Sequence, residues 1–518
     1  MNPLKIIFNR GFILALFMIL QISFLAYIVF AFEGYFVYYF WISLLISFIV
    51  VISIMNNRSN FVYKIGWIVP VFVFPLFGSI LYLLYGGNKH GKKTKNRMKE
   101  LMVQKDFILK QNDSTIEKLK NENSIAANQA LYIKNYSNSP IYINSRTEFF
   151  ELGELGFKKM IEEIKKAEKF IFLEYFIIDK GIVWDTILDI LIDKVKSGVE
   201  VKIIYDDIGC LFTLPHNYYK YLESLGIKCK VFHPLKPLFT LKYNNRDHRK
   251  ILVIDNKIAF TGGINLADEY INEFEKYGHW KDSVIMTSGK AVHSFTAFFL
   301  LMWDYISDEN TDYKKYLEEP LYYEIYDNKL QIYRENSGYI QPFSDSPLDG
   351  EALSETIYLN LLGSAKKYAY ITTPYLILDD TMKSALCAAG KRGVDVRIIV
   401  PHIPDKWYVH SVSKSNYEEL LESNIRIYEY TPGFIHSKLF ISDDEYAVVG
   451  TINIDYRSLY LHFECGIWMY KSQSLYNIKK DIEDTISKSK EIKFTDIEKV
   501  NIFQRTTRTI LKILSPLM

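Results

Sequence analysis

Two stretches of the chain carry the same polar residues at the same spacing. Residues 248–265 read HRKILVIDNKIAFTGGIN, and residues 436–453 read HSKLFISDDEYAVVGTIN. The matched residues are His248, Lys250, Asp255 and Asn265 in the first copy and His436, Lys438, Asp443 and Asn453 in the second. These residue types suit a phosphodiester, because ammonium and amide groups can hold phosphate oxygens while imidazoles attack phosphorus or move protons.

The chemistry needs the two histidines to play different parts. One neutral imidazole can attack phosphorus and form a covalent phosphohistidine. The other, when protonated, can donate to the departing alkoxide and then accept a proton from the incoming alcohol. Near neutral pH this division requires surroundings that push the two imidazole pKa values apart. Lysine is not a metal ligand and no separate carboxylate cluster is evident, so the sequence favours a reaction without metal or other cofactor.

Each motif reads as a β-hairpin. Side chains at positions i and i+2 of a strand share a face, so His248 and Lys250 point the same way, as do His436 and Lys438. Asp255 and Asp443 fall where a turn should end the first strand, and they either brace that turn or contact substrate. The returning strand brings Asn265 and Asn453 back to the end where each histidine lies. We therefore expect an imidazole, an ammonium and an amide at one lip of each copy.

The hairpins belong to a longer internal repeat. FIFLEYFIIDK, GVEVKIIYD and YLESLGIKCKVF precede the first hairpin, and YAYITTPYLILDD, GVDVRIIVP and YEELLESNIRIYEY precede the second. Helical patterns alternate with short β-branched runs, which is typical of βαβ units around a parallel sheet buried on both faces. The sequence predicts an α/β fold with two lobes, at 136–330 and 331–500, related by a pseudo-twofold axis that brings both lips into one site.

Long uncharged stretches precede the lobes. Residues 11–32 and 35–55 each have the length of a transmembrane helix. A third apolar run, 65–85, contains Pro70 and Pro75, which favour a broken helix. The basic stretch NKHGKKTKNRMK follows it and should stay in the cytoplasm. We therefore expect a membrane anchor at 1–88 with two transmembrane helices and a third, re-entrant segment, which places the catalytic lobes on the cytoplasmic side of the cell membrane.

The remaining segments and the overall charge carry weaker signals. Residues 89–135 combine the basic cluster with a polar helical linker. Residues 501–518 form an amphipathic tail that either lies on the membrane or packs on the protein core. The chain has 62 basic and 60 acidic residues, and no basic stripe interleaved with aromatic residues occurs in the lobes. This composition disfavours a nucleic-acid partner.

At the paired motif the chain resembles the phospholipase D superfamily, marked by HxKxxxxD followed by GGxN or GSxN. Thr451 stands where serine is usual and keeps the hydroxyl. The patterns GWIVPVFVFPLFGSILYLLYGG, EYFIID, NNRDHRKI, TTPYLI and NIDYRS are similar to those of bacterial cardiolipin synthases. This resemblance implies transfer of a phosphatidyl group between two phosphatidylglycerol molecules, giving cardiolipin and glycerol.

The resemblance also implies roles for individual residues. His248, Lys250, Asp255, His436, Lys438 and Asp443 would form the catalytic set, and Asn265 and Asn453 would bind substrate. His248 would be the nucleophile and His436 the acid, although the reverse order fits the motif equally well. Asp282 and Glu464 follow the two asparagines and either orient the facing histidines or form ordinary salt bridges. Two departures from the family pattern are His462 and Asp247, both at positions where asparagine is expected.

Three other functions fit parts of this pattern. A membrane-bound phospholipase D that hydrolyses its lipid to phosphatidic acid would use the same residues with water as the acceptor. A nuclease would share the chemistry, but the anchor and the balanced charge disfavour it. A catalytically inactive membrane scaffold would not need two complete motifs.

Overall fold

The computed structural model describes residues 36–57, 61–86, 92–143, 145–234, 245–317 and 338–497, with isolated positions near both ends. The first apolar segment, 11–32, lies outside these ranges except at isolated positions. So do the basic residue Lys89 and the boundary between the predicted lobes at 330.

Apolar helices form a small N-terminal unit. They span Phe36–Met55, Phe61–Val73 and Pro75–Leu81, and a π-helical turn follows at Tyr82–Gly86. The break between the second and third helices falls at Phe74, directly before Pro75, because proline fits the first turn of a helix but interrupts a continuing one. Within the described part of the chain, no helix combines the length and the hydropathy needed to cross a membrane.

Residues 92–137 are helical, as the sequence predicts, but they are more than a linker. Their helices span Lys92–Ile108, Asp113–Glu122 and Ser124–Ser137. Met98 and Leu101 of the first helix are buried in a core that both lobes share. Ala127 and Ile133 of the third helix are buried against the second lobe. Ala127, Ala130 and Ile133 recur every three residues, which places them on one face of the helix.

The described residues of the first lobe form eight strands. These are β1 Ser145–Phe150, β2 Phe170–Tyr175, β3 Glu200–Asp206, β4 Lys228–Phe232, β5 Lys250–Ile254, β6 Ile258–Gly262, β7 His279–Lys281 and β8 Val284–Gly289. Its helices span Gly153–Ile164, Ile182–Lys196, Tyr218–Ser224, Val292–Ser307 and Lys314–Leu317, with a 3-10 turn at Asp268–Ile271. Seven strands form one sheet in the order β1-β8-β6-β5-β2-β3-β4.

The second lobe repeats this plan. Its strands are β9 Tyr339–Asp345, β10 Tyr368–Thr372, β11 Asp395–Pro401, β12 Arg426–Tyr430, β13 Gly433–Ile435, β14 Leu439–Ser442, β15 Tyr446–Gly450, β16 Glu464–Tyr470 and β17 Ser489–Ile492. Its helices span Leu353–Ser364, Asp380–Lys391, Trp407–Ser415, Tyr417–Glu422, Tyr456–Tyr460, Ser474–Ser487 and Phe494–Ile497. The sheet order is β17-β12-β11-β10-β14-β15-β16-β9, which matches the first sheet read from β4 to β1 with one strand added.

The prediction of two α/β lobes is confirmed, but the prediction of parallel sheets is wrong for most strand pairings of each sheet. β2, β3 and β4 are parallel, as are β10, β11 and β12. The other pairings within each sheet are antiparallel. The motif hairpins explain the difference, because a hairpin places two antiparallel strands in the middle of the sheet.

One apolar core joins the lobes. It contains side chains from β2 and β5 of the first lobe and from β14 and β16 of the second. Helix Val292–Ser307 lies in the same core and is buried over nearly its whole length. Within the predicted C-terminal tail, Leu511 packs against a cluster formed by Ile377, Val409, Val412 and Tyr456.

Candidate active site

The two motif histidines lie at the boundary between the lobes, and the backbone of each is held by the opposite lobe. β7 of the first lobe pairs in parallel with β13 of the second. Directly after β13, the His436 N–H donates to the carbonyl of Lys281 (2.7 Å). On the other side, the His248 N–H donates to the carbonyl of Phe463 (3.0 Å). Each lobe therefore completes the other lobe's half of the site.

Each imidazole also contacts a carboxylate from the opposite lobe. His248 Nδ1 lies 2.9 Å from Glu464 Oε1, and His436 Nδ1 lies 2.6 Å from Asp282 Oδ2. Both carboxylates are fully buried. The arrangement fixes the orientation of each ring, and it leaves Nε2 as the nitrogen that no carboxylate contacts.

The two motifs differ beside Asp282 and Glu464, because the first has Gly263 where the second has Thr451. Gly263 of the first motif has no side chain, and a Cβ there would overlap the Asp282 carboxylate. The equivalent residue of the second motif, Thr451, donates its hydroxyl to Glu464 Oε2. In the first copy the Asp282 carboxylate lies against the glycine backbone. In the second copy the threonine side chain fits beside the Glu464 carboxyl group and hydrogen-bonds to it.

Both motif lysines are buried beside the histidines. Lys250 Nζ donates to the carbonyl of His248 (2.7 Å). Lys438 Nζ donates to the carbonyl of His436 and lies 2.9 Å from His436 Nδ1. Burial lowers the pKa of Lys250 to about 8 and that of Lys438 to about 7, against the opposing effect of the buried carboxylates. A bound phosphate would favour the charged form of both lysines.

The pKa values of the two imidazoles are shifted in the same direction. Burial, together with the nearby lysines, lowers the pKa of His248 well below its ordinary value and that of His436 to about 4. Both rings are therefore neutral near pH 7. A protonated imidazole requires an added negative charge, and a phosphodiester is such a charge.

The asymmetry lies in the carboxylates instead. Burial raises the pKa of Glu464 well above its ordinary value, and Lys250 only partly opposes this. Burial also opposes ionisation of Asp282, but His436 and Lys438 outweigh it and lower the pKa of that carboxyl. Asp282 is thus the ionised partner, and His436 Nδ1 donates to it.

The carboxylates of Asp255 and Asp443 bind backbone N–H groups at the turn ends of the two hairpins. Asp255 accepts backbone N–H groups of Glu168, Lys169 and Phe170 at 2.8 Å. Asp443 does the same for residues 366–368. Each lies at the far end of its strand from the histidine, where it ties the hairpin turn to the start of a neighbouring strand. The turn-bracing alternative is the one the structure supports.

The two asparagines differ in their contacts. Asn265 accepts from the Ile177 N–H (3.1 Å) and donates to the Tyr270 hydroxyl (2.6 Å), so both ends of its amide are engaged by the first lobe. Asn453 is buried, and its Oδ1 has no hydrogen-bond partner among the described residues. Of the two, Asn453 has the amide oxygen that is free to meet a ligand.

Aromatic side chains form walls that the motif alone did not identify. The Phe176 ring lies 5.1 Å from the His248 ring between centroids. Tyr270 and Trp280 lie 5.5 and 5.3 Å from His436. Phe176 follows β2 directly, and Phe434 lies in β13 two residues before His436, so their position next to the repeated blocks could have identified them from the sequence.

Asp247, which stands where the family pattern has asparagine, has a structural contact. Its carboxylate accepts a hydrogen bond from Arg249 Nε (3.1 Å).

Three potential metal ligands meet beside the site, but they do not suit a cation. Single donor atoms of His248, His462 and Glu464 lie within 4.8 Å of one another. Arg457 Nε donates to His462 Nε2 (3.2 Å), so the proton of this neutral ring is on Nδ1, the nitrogen nearest Glu464. Lys250 and Arg457 add positive charge to the same space.

Known protein families match most of this chain. A family model described as cardiolipin synthase, PLD-like domain, matches residues 160–303 and 358–486. Another, described as phospholipase D-nuclease N-terminal, matches residues 45–87.

Relatives of similar length carry related names. A cardiolipin synthase of Alkalihalophilus pseudofirmus is 33% identical over 92% of this chain and 93% of its own. A cardiolipin synthase of Halalkalibacterium halodurans is 31% identical over 92% of this chain and 93% of its own. An uncharacterized protein of Streptococcus mutans is 44% identical over 90% of this chain and 99% of its own.

Among solved structures, the phosphatidylserine synthase of Haemophilus influenzae superposes with a TM-score of 0.55 at 20% identity. It covers 75% of this chain and 98% of its own. At 20% identity this match supports the two-lobed fold alone.

Proposed function

The chain belongs to the family of phospholipase D-like cardiolipin synthases, and from this we propose that it transfers a phosphatidyl group from one phosphatidylglycerol to another, producing cardiolipin and glycerol. The observation that carries the proposal is the pairing of His248 and His436 with carboxylates from opposite lobes at one buried boundary. Two imidazoles held in this way can act on one phosphorus atom.

In the first step, Nε2 of one histidine attacks phosphorus while the bond to the glycerol oxygen breaks. The second imidazole, charged because the bound phosphodiester raises its pKa, gives its proton to that oxygen. Glycerol leaves, and a phosphohistidine joins the lipid to the protein. Lys250 and Lys438 are placed to hold the phosphate oxygens as charge builds up on them.

In the second step, a hydroxyl of another phosphatidylglycerol attacks the phosphohistidine. The second imidazole accepts the hydroxyl proton, the nitrogen–phosphorus bond breaks, and cardiolipin is released. Both histidines return to their starting state. Because water would convert the same intermediate into phosphatidic acid, the burial of the histidines favours transfer over hydrolysis.

A membrane anchor at 1–88 fits these lipid substrates. Val37, Trp41, Leu45, Phe48 and Phe72 of the N-terminal helices expose large apolar side chains. The opposite side of this unit packs on Leu461, three residues before Glu464. The proposed lipid-facing helices therefore lie against the segment that supplies one carboxylate of the site, which would keep the site close to its substrate.

We further infer that the anchor is multi-pass, with the catalytic lobes in the cytoplasm. The argument is the cluster of basic residues that follows the third apolar segment. Helix Lys92–Ile108 carries part of that cluster, and Lys95 and Lys99 on it are exposed. Exposed lysines near anionic lipid stabilise membrane contact by about 1 kcal/mol each.

A lipid-product assay tests the proposal. The full-length protein in phosphatidylglycerol vesicles, without nucleotide or metal, should yield cardiolipin and glycerol in equal amounts. His248→Ala and His436→Ala should each abolish both products, because either change removes one of the two imidazoles. Phosphatidic acid as the main product would favour the hydrolase instead. Undiminished turnover in either alanine variant would overturn the mechanism.

A further inference from the structure

His462 lies in the site but has no part in the mechanism above. It precedes Phe463, whose carbonyl binds the backbone of His248, and its ring centroid lies 5.6 Å from that of His248. Its side chain is 10% exposed. A third imidazole this close to the proposed phosphorus position needs an explanation of its own.

The contacts of His462 fix where its proton is. Arg457 Nε donates to His462 Nε2 at 3.2 Å, and a guanidinium can only donate, so Nε2 is the acceptor and carries no proton. Burial, with the positive charges of Arg457, Arg246 and Lys250, lowers the pKa of His462 well below its ordinary value. The ring is therefore neutral with its proton on Nδ1.

That Nδ1–H group has no hydrogen-bond partner among the described residues. The nearest carboxylate oxygen, Glu464 Oε1, is 3.9 Å away, beyond hydrogen-bond distance. A buried donor without an acceptor is destabilising. Such a group is expected where a ligand supplies the missing acceptor.

The chemistry of the surroundings selects the ligand. A metal ion is excluded because Nδ1 holds a proton and the neighbouring side chains are positive. A phosphate oxygen fits, since it accepts hydrogen bonds and its negative charge is favoured by the same neighbours. The proposed reaction places such an oxygen beside His248.

We propose that His462 is a further substrate-binding residue, which donates Nδ1–H to a non-bridging oxygen of the phosphodiester held against His248. This inference rests on the proposed function, which supplies the phosphodiester. It also accounts for the departure from asparagine at this position, because the asparagine amide is likewise a neutral donor.

The test compares His462→Leu with His462→Asn. The two side chains have the same number of heavy atoms and the same branching at Cγ, but only asparagine keeps a donor. Loss of one hydrogen bond to a charged oxygen should lower kcat/KM for phosphatidylglycerol roughly 10- to 150-fold in the leucine variant. Because the oxygen is bound before and during reaction, the loss should be mainly in KM. The asparagine variant should recover to within about threefold of the unmodified protein.

A second donor lipid separates phosphate from headgroup recognition. Phosphatidylpropanol has no headgroup hydroxyl, and its propanol release in the presence of phosphatidylglycerol as acceptor can be followed directly. The leucine variant should be impaired with this donor as strongly as with phosphatidylglycerol. An effect that disappears with phosphatidylpropanol would overturn the proposal, because the contact would then be to a glycerol hydroxyl.

Binding of inorganic phosphate, measured by calorimetry, gives a readout that does not depend on turnover. The leucine variant should bind it about tenfold more weakly, and the asparagine variant should bind it like the unmodified protein. Equal weakening in both variants would overturn the proposal, since shape rather than the donor would matter. A protein that binds phosphate through His462 but makes no cardiolipin would refute the proposed function alone.

Discussion

Asp282→Asn and Glu464→Gln should have unequal effects, although each replaces a carboxylate in the same position relative to a motif histidine. Asp282 is held ionised by His436 and Lys438. Burial raises the pKa of Glu464 well above its ordinary value and so favours its protonated form. The asparagine variant therefore removes a negative charge 2.6 Å from His436 Nδ1, whereas the glutamine variant exchanges one neutral group for another of similar shape.

The size of each effect follows from what is lost. A hydrogen bond to a charged group contributes about 1.5–3 kcal/mol. Once the reaction makes His436 positively charged, its attraction to Asp282 adds to this, and opposite charges about 4 Å apart attract by about 4 kcal/mol at an effective dielectric constant near 20. Asp282→Asn should thus raise the barrier by about 2–4 kcal/mol, a loss of roughly 30- to 1,000-fold in kcat/KM. Glu464→Gln removes a neutral hydrogen bond at most, about 0.5–1.5 kcal/mol, or roughly 2- to 10-fold.

The assay is initial-rate cardiolipin formation from phosphatidylglycerol vesicles over a range of substrate densities. Thermal unfolding of both variants serves as the control, because a folding defect would lower activity without testing the electrostatics. Equal losses in the two variants, or a larger loss in Glu464→Gln, would refute the assignment of the charge to Asp282.

Three further outcomes follow from the same contacts. Asp255→Ala should lower the midpoint of thermal unfolding while leaving kcat of the folded protein within about threefold, because Asp255 binds only backbone N–H groups; a loss of kcat without loss of stability would restore it to the catalytic set. Gly263→Ala should reduce activity as much as Asp282→Asn, since a Cβ would displace the Asp282 carboxylate, whereas Gly363→Ala, with open space around it, should be silent in the same assay. As pH rises from 7 to 9, kcat/KM should fall. The activity falls because Lys438 and Lys250, with pKa values of about 7 and about 8, lose their protons. A Lys438→Arg variant that keeps the same alkaline decline would show that other groups cause it.

The boundary between the lobes gives the site its dependence on both halves of the chain. Each histidine receives a backbone hydrogen bond and a carboxylate from the opposite lobe. Small shifts of one lobe against the other would therefore change the orientation of both rings together. The buried core that joins the lobes opposes such shifts.

Several features of this protein were determined by the sequence alone, because they depend on local geometry. The period of two along a strand places His248 with Lys250, and the repetition of four blocks in the same order requires two lobes of one design. Local patterns also indicated the helix at Phe36–Met55 and the helix break before Pro75, whereas Pro70 lies inside the helix Phe61–Val73. They did not indicate the antiparallel pairings of each sheet, because the neighbours of a strand are set by contacts between residues far apart in the chain.

Only the tertiary structure determined which side chains of the site contact one another and which of them are charged. Duplication suggested that Asp282 and Glu464 face the histidines, but the contacts depend on β7 meeting β13 across the two lobes. The structural place of Asp255, the neutral state of both imidazoles and the unpartnered proton of His462 likewise depend on depth of burial and on neighbours distant in sequence. Desolvation and long-range charge are properties of the packed molecule, so no motif could report them.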